Sequence, residues 1–460
     1  MDRSIVCHQR FPMTQTTTQT PLIGQRWTRR RFLARAGAAS WLSTIGVAES
    51  RSAHEAGPTI RTSPRVERRK KIALILSEVR YLSHSQHFLD RFTAGYGWAG
   101  RHHIPPFEVA GIYVDQHPTG DLSRERVQRL RLQQFPTIEE ALALGGSHLA
   151  VDGVVMVIEH GDYPTNEKGQ KEYPRYPFFK RVVKVFENSG RSVPVFSDKH
   201  LSIRWNECVE MVADSRRLQF PFLAGSSLPV TWRLPSFELP LGTPLSESVC
   251  VAYGGVDAYD IHALETAQCM SERRQGGECG VSSVHALRGA ALWDLVRRRE
   301  RTRQLMFAAL ARSLTCRAPA GFTWVPPDVD WLQAACPEAI GYFIEHRDGF
   351  QTSMFLLNGL VEDFNYAGMS ERTGQIFSCQ MYLPMPPRRT TQPNFFNPLV
   401  NHVETLLRTG RAPYPIERNL LTSGMTLFNV ESLYRGQVLL PTPELSVAYR
   451  APRPSNFWRA

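Results

Sequence analysis

The segment from Val151 to Ser202 places the strongest constraint on the fold. It begins with an apolar run, Val151–Ile158, that is rich in β-branched residues and short enough for a strand covered on both faces. A polar insertion and an apolar stripe at helical spacing follow, and Gly190 ends the stripe. A second β-branched run, Val193–Phe196, leads into Ser197-Asp198-Lys199-His200, at the strand end where open α/β sheets bind ligands. The sequence therefore predicts a βαβ unit with a lysine at its ligand-binding edge.

Alternating strand and helix patterns continue on both sides of this unit. The apolar run that begins at Ile72 predicts a first strand, and Phe107–Val114 predicts a second. An apolar stripe after Ser83 predicts a helix between them, and Thr137-Ile138-Glu139-Glu140 resembles a capping box. A further strand at Phe220–Ala224 completes the pattern. Such alternation with short connections indicates a Rossmann-like, doubly wound parallel sheet.

The turns after the first two strands bear on which ligand the sheet binds. Ser77-Glu78-Val79 stands where a dinucleotide-binding protein has a glycine-rich turn that lets the backbone approach a pyrophosphate. Asp115 stands where an acid would bind ribose hydroxyls, and a simple turn aspartate is the alternative. Ser77, Glu78 and Asp115 are thus the candidate nucleotide contacts, in a sheet that lacks the expected glycines.

The pattern changes after Gly225, where strand-like pieces separated by prolines dominate. Ala339–His346 and Gln351–Asn358 predict a hairpin, and a helical segment carries His262 near its start. Two more helices, stopped by Gly410 and Gly436, close the chain. We predict a second, α+β domain with a mostly antiparallel, open-faced sheet.

Charge is concentrated at the amino terminus. Residues 1–71 hold 14 Lys and Arg against 4 Asp and Glu, a net of +10, so that 11 − 10 leaves +1 for the rest of the chain. This balance argues against a nucleic-acid partner. Thr28-Arg29-Arg30-Arg31-Phe32-Leu33, a small-residue apolar run and Gly46-Val47-Ala48 resemble a twin-arginine export signal with its cleavage site. A disordered basic tail is the alternative to this interpretation.

The export signal implies a folded protein delivered by the twin-arginine machinery to the periplasm or the cell exterior. No apolar run is long enough for a membrane span, so we expect no stable membrane insertion. The cysteines form no C-x-x-C pair, which disfavours a metal centre and favours buried free thiols over disulfides. The expected organisation is a signal at 1–48, a linker at 49–70, a nucleotide-binding domain at 71–225, an α+β domain at 226–395 and closing elements at 396–460.

Several segments resemble the Gfo/Idh/MocA oxidoreductases, the group that includes glucose-fructose oxidoreductase and inositol dehydrogenase. Val193–Leu201 is similar to the strand that ends in Glu-Lys-Pro, with Lys199 in the lysine position. Phe222-Leu223-Ala224-Gly225 resembles the crossing into the second domain, and His262-Ala263-Leu264-Glu265 resembles the His-x-x-Asp of that domain's first helix. The run from Thr409 to Leu445 is similar to the closing helix. The resemblance spans roughly Ile72 to Tyr449, in the same order.

The resemblance implies a nicotinamide cofactor, NAD or NADP, and hydride transfer at a sugar or polyol carbon. It assigns Lys199 and His262 as the catalytic pair, with Lys199 also near the cofactor; histidine has a suitable pKa for a base, and lysine can stabilise charge on oxygen. By analogy, it also implies a homo-oligomer formed through the open face of the second sheet.

Other residues are candidates for binding a small, sugar-like substrate. Glu159 and His160 end the central strand at the same edge as Lys199, Asp260 lies close to His262, and Trp232 offers an aromatic face for a sugar. Each has a structural alternative, such as local pairing or core packing.

Two other functions remain open. The missing glycines favour a non-catalytic descendant that binds a carbohydrate or a partner in its cleft. A hydrolase or lyase that uses Glu159, His160 and His262 is the third hypothesis.

Overall fold

The computed structural model describes residues 68–317, 328–383, 393–454 and 457. The predicted export signal and nearly all of the predicted linker lie outside these residues. The elements of the first half, in chain order, are β1 (Lys70–Leu76), α1 (His84–Ala94), β2 (Tyr96–Trp98), β3 (Arg101–His103), β4 (Phe107–Val114), α2 (Ser123–Leu130), α3 (Ile138–Ala143), β5 (Gly153–Val157), α4 (Arg175–Ser189), β6 (Val195–Asp198), α5 (Trp205–Arg217) and β7 (Phe222–Gly225).

The second half begins with a short 3₁₀ turn, Leu228–Val230, and a second such turn, Pro443–Leu445, follows its last strand. Its strands and helices are β8 (Trp232–Leu234), β9 (Leu245–Ala252), α6 (Asp260–Ser271), β10 (Val281–Arg288), α7 (Ala290–Arg298), α8 (Glu300–Leu310), α9 (Val329–Ala335), β11 (Ile340–His346), β12 (Gln351–Leu356), β13 (Phe364–Ser370), β14 (Ile376–Tyr382), α10 (Phe396–Thr409), α11 (Ile416–Tyr434) and β15 (Leu439–Pro441).

The first sheet is parallel throughout, with the strand order β4-β1-β5-β6-β7. Helices α1 and α10 cover one face, and α3, α4 and α5 cover the other. Burial on both faces explains the nearly unbroken apolar sequences of β1 and β5. The strand order reverses between β1 and β5, and ligands bind at the carboxyl ends of strands at such a switch point.

Local signals in the sequence set several helix ends. The Ser83 hydroxyl accepts a hydrogen bond from the Gln86 amide and caps α1. Thr137 caps α3 in the same way through the Glu140 amide. Gly190 and Gly410 take left-handed conformations and end α4 and α10.

The second sheet has eight strands in the order β15-β10-β11-β12-β9-β13-β14-β8, and every neighbouring pair is antiparallel except β12 with β9. Helices α6 and α11 pack on one face. The predicted mostly antiparallel sheet is therefore present, and in the chain it follows the parallel Rossmann-like sheet.

The open face expected for this sheet is covered. Apolar side chains of α7, α8 and α9, including Leu292, Trp293 and Leu305, pack against Val249 and Phe355 of the sheet. This arrangement buries the apolar stripes of both layers. The surface on which the predicted oligomer was based therefore lies beneath these helices.

Among the described residues, no helix is both long and apolar enough to cross a membrane. The described cysteines are all free thiols, and five of them are buried: Cys208, Cys250, Cys269, Cys336 and Cys379.

Candidate functional site

Lys199 links the two halves of the molecule. It follows β6 with a left-handed φ of 63°, and its amide bonds to the Gly225 carbonyl at the end of the next strand. Its ammonium donates to the Ala258 carbonyl at 3.0 Å, in the turn that leads into α6. The side chain is 4% exposed. Lys199 thus reaches from the edge of the parallel sheet to the start of the first helix of the second half.

Glu159 lies between two buried cations. Its carboxylate is 2.7 Å from the Lys199 ammonium and 2.7 Å from the Arg175 guanidinium. Burial alone would raise the pKa of Glu159, but Lys199 and Arg175 outweigh it and hold that pKa well below its usual value. A buried carboxylate of this kind fixes the positions of both cations.

The same network continues to His200 and Asp257. Arg175 also contacts the His200 ring nitrogen at 3.1 Å, and Asp257 lies 3.6 Å from that nitrogen. Burial lowers the pKa of His200 well below its usual value, and Arg175 lowers it further. Burial raises the pKa of Asp257, whose carboxylate accepts a 2.9 Å hydrogen bond from Gln170. Arg175 and Gln170 could not be predicted from sequence patterns, because their contacts depend on the polar insertion before α4.

His262 lies in the first turn of α6, between the rings of Tyr259 and Phe364 at centroid distances of 5.8 and 6.0 Å. Burial lowers its pKa well below the usual value, and the charges of Lys199 and His84 lower it further. Within the described residues its Nδ1 has no hydrogen-bond partner. The structure therefore brings Lys199 and His262 near each other, as the resemblance implies.

His84 also lies at this edge, in contact with Asp198 and His160, and the sequence analysis did not predict these contacts. His84 Nδ1 lies 2.6 Å from the Asp198 carboxylate, and the His84 ring meets the His160 ring edge-on at 5.4 Å. Burial and His84 together lower the pKa of His160 to about 4. The clue in the sequence was position: His84 opens the helix after the first strand and Asp198 ends the fourth strand of the parallel sheet, so both face the same edge.

The structure also shows where two other predicted substrate contacts, Asp260 and Trp232, lie. Asp260 is fully buried, and its carboxylate accepts hydrogen bonds from the Tyr342 hydroxyl and the Ile261 amide. Burial and neighbouring Asp257 raise its pKa to about 7. Both of its oxygens thus accept hydrogen bonds from within the protein. Trp232 lies on β8, the edge strand of the second sheet, opposite Tyr382.

Comparisons with known proteins bear on the fold. No protein-family model and no curated protein sequence matches the chain. Among solved structures, GenD2 from gentamicin A biosynthesis, in complex with NAD, aligns over 84% of this chain and 99% of its own, with 14% identity and a TM-score of 0.50. The chain has the Gfo/Idh/MocA fold.

Two other solved structures align at lower scores. Myo-inositol dehydrogenase from Lactobacillus casei, in complex with NAD(H) and myo-inositol, covers 85% of this chain and 99% of its own at 10% identity and a TM-score of 0.48. A probable dehydrogenase from Thermotoga maritima covers 82% and 99% at 11% identity and a TM-score of 0.47.

The sheet edge at which the sequence predicts nucleotide contacts is occupied by the chain's own side chains. The Ser77 hydroxyl donates to the Glu159 carbonyl at 2.8 Å, and the buried Glu78 carboxylate pairs with Arg80. Asp115 accepts hydrogen bonds from the hydroxyls of Tyr113 at 2.7 Å and Tyr163 at 2.8 Å. Both the turn and the acid therefore already have hydrogen-bond or ion-pair partners within the chain.

Tyr163 belongs to the insertion 161–174, which we call the strap. Asp162 of the strap exchanges two hydrogen bonds with Gln116, and Gln170 holds Asp257 of the second half. Lys168 pairs with Glu431 of α11. The strap thus crosses the carboxyl edge of the parallel sheet and is attached on both sides.

A dinucleotide does not fit these residues in this conformation. Its ribose would compete with the Tyr163 hydroxyl for Asp115, and its phosphates would meet the Glu78 carboxylate at a turn without glycines. The predicted contacts Ser77, Glu78 and Asp115 thus all have partners within the chain, and a ribose that took the place of the Tyr163 hydroxyl on Asp115 would require the strap to move.

Proposed function

We propose that the chain is an oxidoreductase of Gfo/Idh/MocA type that acts on a carbinol of a sugar, polyol or derivative. The proposal rests on one observation: Lys199 from the parallel sheet and His262 from the second half converge at the carboxyl edge of the sheet. The hydride acceptor in the proposal is a nicotinamide nucleotide, because GenD2, which shares the fold, was solved with NAD. The choice between NAD and NADP is left to the titration described below.

Lys199 is suited to hold a substrate oxygen. An ammonium has three N–H donors, and Lys199 directs two of them to Glu159 and the Ala258 carbonyl. The third donor can bond a hydroxyl and stabilise the negative charge that develops as its proton leaves. Glu159 and Arg175 fix this geometry before substrate binds, so little reorganisation is needed.

His262 is suited to contact the same hydroxyl. Burial and the nearby ammonium keep its imidazole neutral, so one ring nitrogen carries a lone pair that can accept a hydrogen bond. The aromatic rings of Tyr259 and Phe364 limit the rotation of the imidazole. Together, Lys199 and His262 define where the reacting oxygen binds.

The proposed reaction requires an open form of the strap in which Tyr163 leaves Asp115. Because only that form binds nucleotide, the apparent affinity is the intrinsic affinity reduced by the open fraction. As part of the same proposal, the amino-terminal segment directs export by the twin-arginine route, and the reaction takes place outside the cytoplasm.

One arrangement favours a second candidate, a cleft that binds a carbohydrate without turnover. The side chains of Glu159, Lys199 and Arg175 are buried, and each oxygen of Asp115 accepts a hydrogen bond from a tyrosine hydroxyl of the chain itself. If this second candidate is correct, the protein does not bind NAD or NADP at the concentrations found in cells.

Turnover of single variants tests the first proposal. The full chain is assayed with NAD and NADP against myo-inositol and a panel of aldoses, beside Lys199→Met and His262→Asn. We expect each variant to lose about 10²-fold or more in kcat while circular dichroism stays unchanged. His148→Asn, at an exposed histidine, is the matched control. Unaltered kcat in both site variants would sink the proposal.

A further inference from the structure

His84 and Asp198 form a pair with the geometry of a proton-accepting dyad. His84 Nδ1 lies 2.6 Å from Asp198 Oδ2, and Asp198 is buried at the end of β6. A carboxylate at this distance holds the proton on Nδ1, which leaves the lone pair on Nε2. The same carboxylate stabilises the imidazolium that forms when Nε2 takes up a second proton.

The pair borders the space around Lys199. His84 contacts the His160 ring, and its charge influences both His160 and His262, so these three histidines surround one region. The His84 side chain is 19% exposed, whereas Lys199 is 4% exposed. A proton on His84 can therefore leave to solvent, whereas the more deeply buried Lys199 cannot release one directly.

We propose that His84 Nε2, with Asp198 as its positioning residue, is the final acceptor of the proton from the substrate hydroxyl. This inference rests on the proposed function and specifies where its proton goes. The O–H bond of the substrate breaks as the hydroxyl passes its proton to the ring nitrogen of His262 that accepts its hydrogen bond, and the electron pair stays on the oxygen held by Lys199. His262 then gives up a proton, returning to its neutral form, and an N–H bond forms at His84 Nε2. The proton then passes to water at the exposed edge of the ring.

The alternatives at the site are less suited to carry this charge. His262 and His160 each have an Nδ1 without a partner among the described residues, so no carboxylate holds that nitrogen of either ring. Lys199 already donates to the Glu159 carboxylate and the Ala258 carbonyl, so its role at the site is that of a donor. Of these groups, His84 alone combines an orienting carboxylate with a path to solvent.

Several titratable groups face the dyad from the elements packed around it. They are His87 on α1, Glu159 and His160 after β5, Asp198 and Lys199 at the end of β6, and His262 on α6. Phe396 of α10 closes the apolar side at a ring distance of 4.9 Å. Any pH profile of His84 therefore includes these neighbours, and the Asp198→Asn comparison isolates the dyad.

The first test is kinetic. With whichever nucleotide and probe sugar the wild type accepts, His84→Ala should lose about 10²- to 10⁴-fold in kcat, and added imidazole should restore part of it. Asp198→Asn should lose about 10- to 100-fold, because the ring takes the wrong tautomer. A kcat for His84→Ala equal to that of wild type, or a loss that imidazole leaves unchanged, would overturn the proposal.

The second test needs no turnover, so it separates failure of the dyad from failure of the proposed function. Diethyl pyrocarbonate acylates unprotonated imidazole nitrogens, and peptide mass spectrometry locates the products on the full chain. We expect His84 to react several-fold faster than His160 and His262, and more slowly in Asp198→Asn. His117, which lies 3.2 Å from Asp121 outside the site, serves as the matched control with Asp121→Asn.

The two arms give distinct outcomes. A wild type without turnover but with rapid, Asp198-dependent acylation of His84 refutes the oxidoreductase and supports the dyad. Acylation of His84 no faster than that of His262, or unaffected by Asp198→Asn, overturns the dyad whatever the turnover.

Discussion

The depressed pKa of His160 predicts a pH-dependent loss of stability. Burial and His84 lower this pKa from 6.5 to about 4. Between these values the unfolded chain binds a proton that the folded chain does not, so stability falls as pH falls. The contribution begins to be lost below 6.5 and is fully lost near the folded pKa. By about pH 5, part-way between the two pKa values, about 2 kcal/mol of the free energy of unfolding is lost.

His160→Asn removes the titrating ring with little change in backbone preference. His160 has a left-handed φ of 71°, a conformation that asparagine adopts more readily than most residues. Urea unfolding of both proteins at about pH 7.5 and about pH 5 should show wild type losing about 2 kcal/mol relative to the variant. Asp260, whose raised pKa acts in the opposite direction, is common to both proteins and cancels.

His148→Asn, at an exposed position, is the matched control and should follow wild type at both pH values. A free-energy difference between wild type and His160→Asn that stays constant with pH would show that His160 is not held in a buried, neutral state.

Three further predictions follow from the site. Tyr163→Phe frees one oxygen of Asp115 from the strap, so calorimetry should show NADH binding about 10-fold or more tighter than in wild type; equal or weaker binding would mean that the strap does not compete. Glu159→Gln and Lys199→Met should each cost about 3–5 kcal/mol in urea unfolding, and the double variant less than their sum; simple additivity would contradict a coupled pair. Gly254→Ala should cost at least about 1 kcal/mol, because φ is 103° and the new Cβ would lie 2.1 Å from the Tyr259 ring, whereas Gly255→Ala meets nothing within 4 Å and should be neutral.

Much of the parallel sheet was predictable because its signals are local. The apolar runs that become β1 and β5 need no distant partner to be recognised, and Phe107–Val114 matches β4 residue for residue. Gly190 and Gly410 ended their helices as expected, because each takes a left-handed conformation.

The second sheet was less accessible from the sequence. Strand β9 pairs with β12 and β13, which lie about a hundred residues further along the chain, so its place depends on long-range partners. Helices α7 and α8 were missed although Leu292, Val296 and Leu305 mark their buried faces. The many arginines on their outer faces obscured the helical spacing of the apolar residues. The sequence analysis therefore did not predict that helices cover this face of the sheet.

The candidate site divides in the same way. Lys199 and His262 were predicted because the resemblance assigns them to a strand end and a helix start, and the structure places them near each other. Arg175, Tyr163 and His84 were missed because their roles arise from contacts with Glu159, Asp115 and Asp198, which are distant in sequence. Only the folded strap and the switch point of the sheet bring these partners together.

Nucleotide binding by the full chain is the most direct test of the proposed oxidoreductase. Calorimetric titration with NADH and with NADPH should give a dissociation constant near 1 μM for one of them, about −8 kcal/mol, once the cost of opening the strap is included. The absence of binding by either nucleotide up to about 1 mM would contradict the proposal and favour a cleft that binds carbohydrate without turnover.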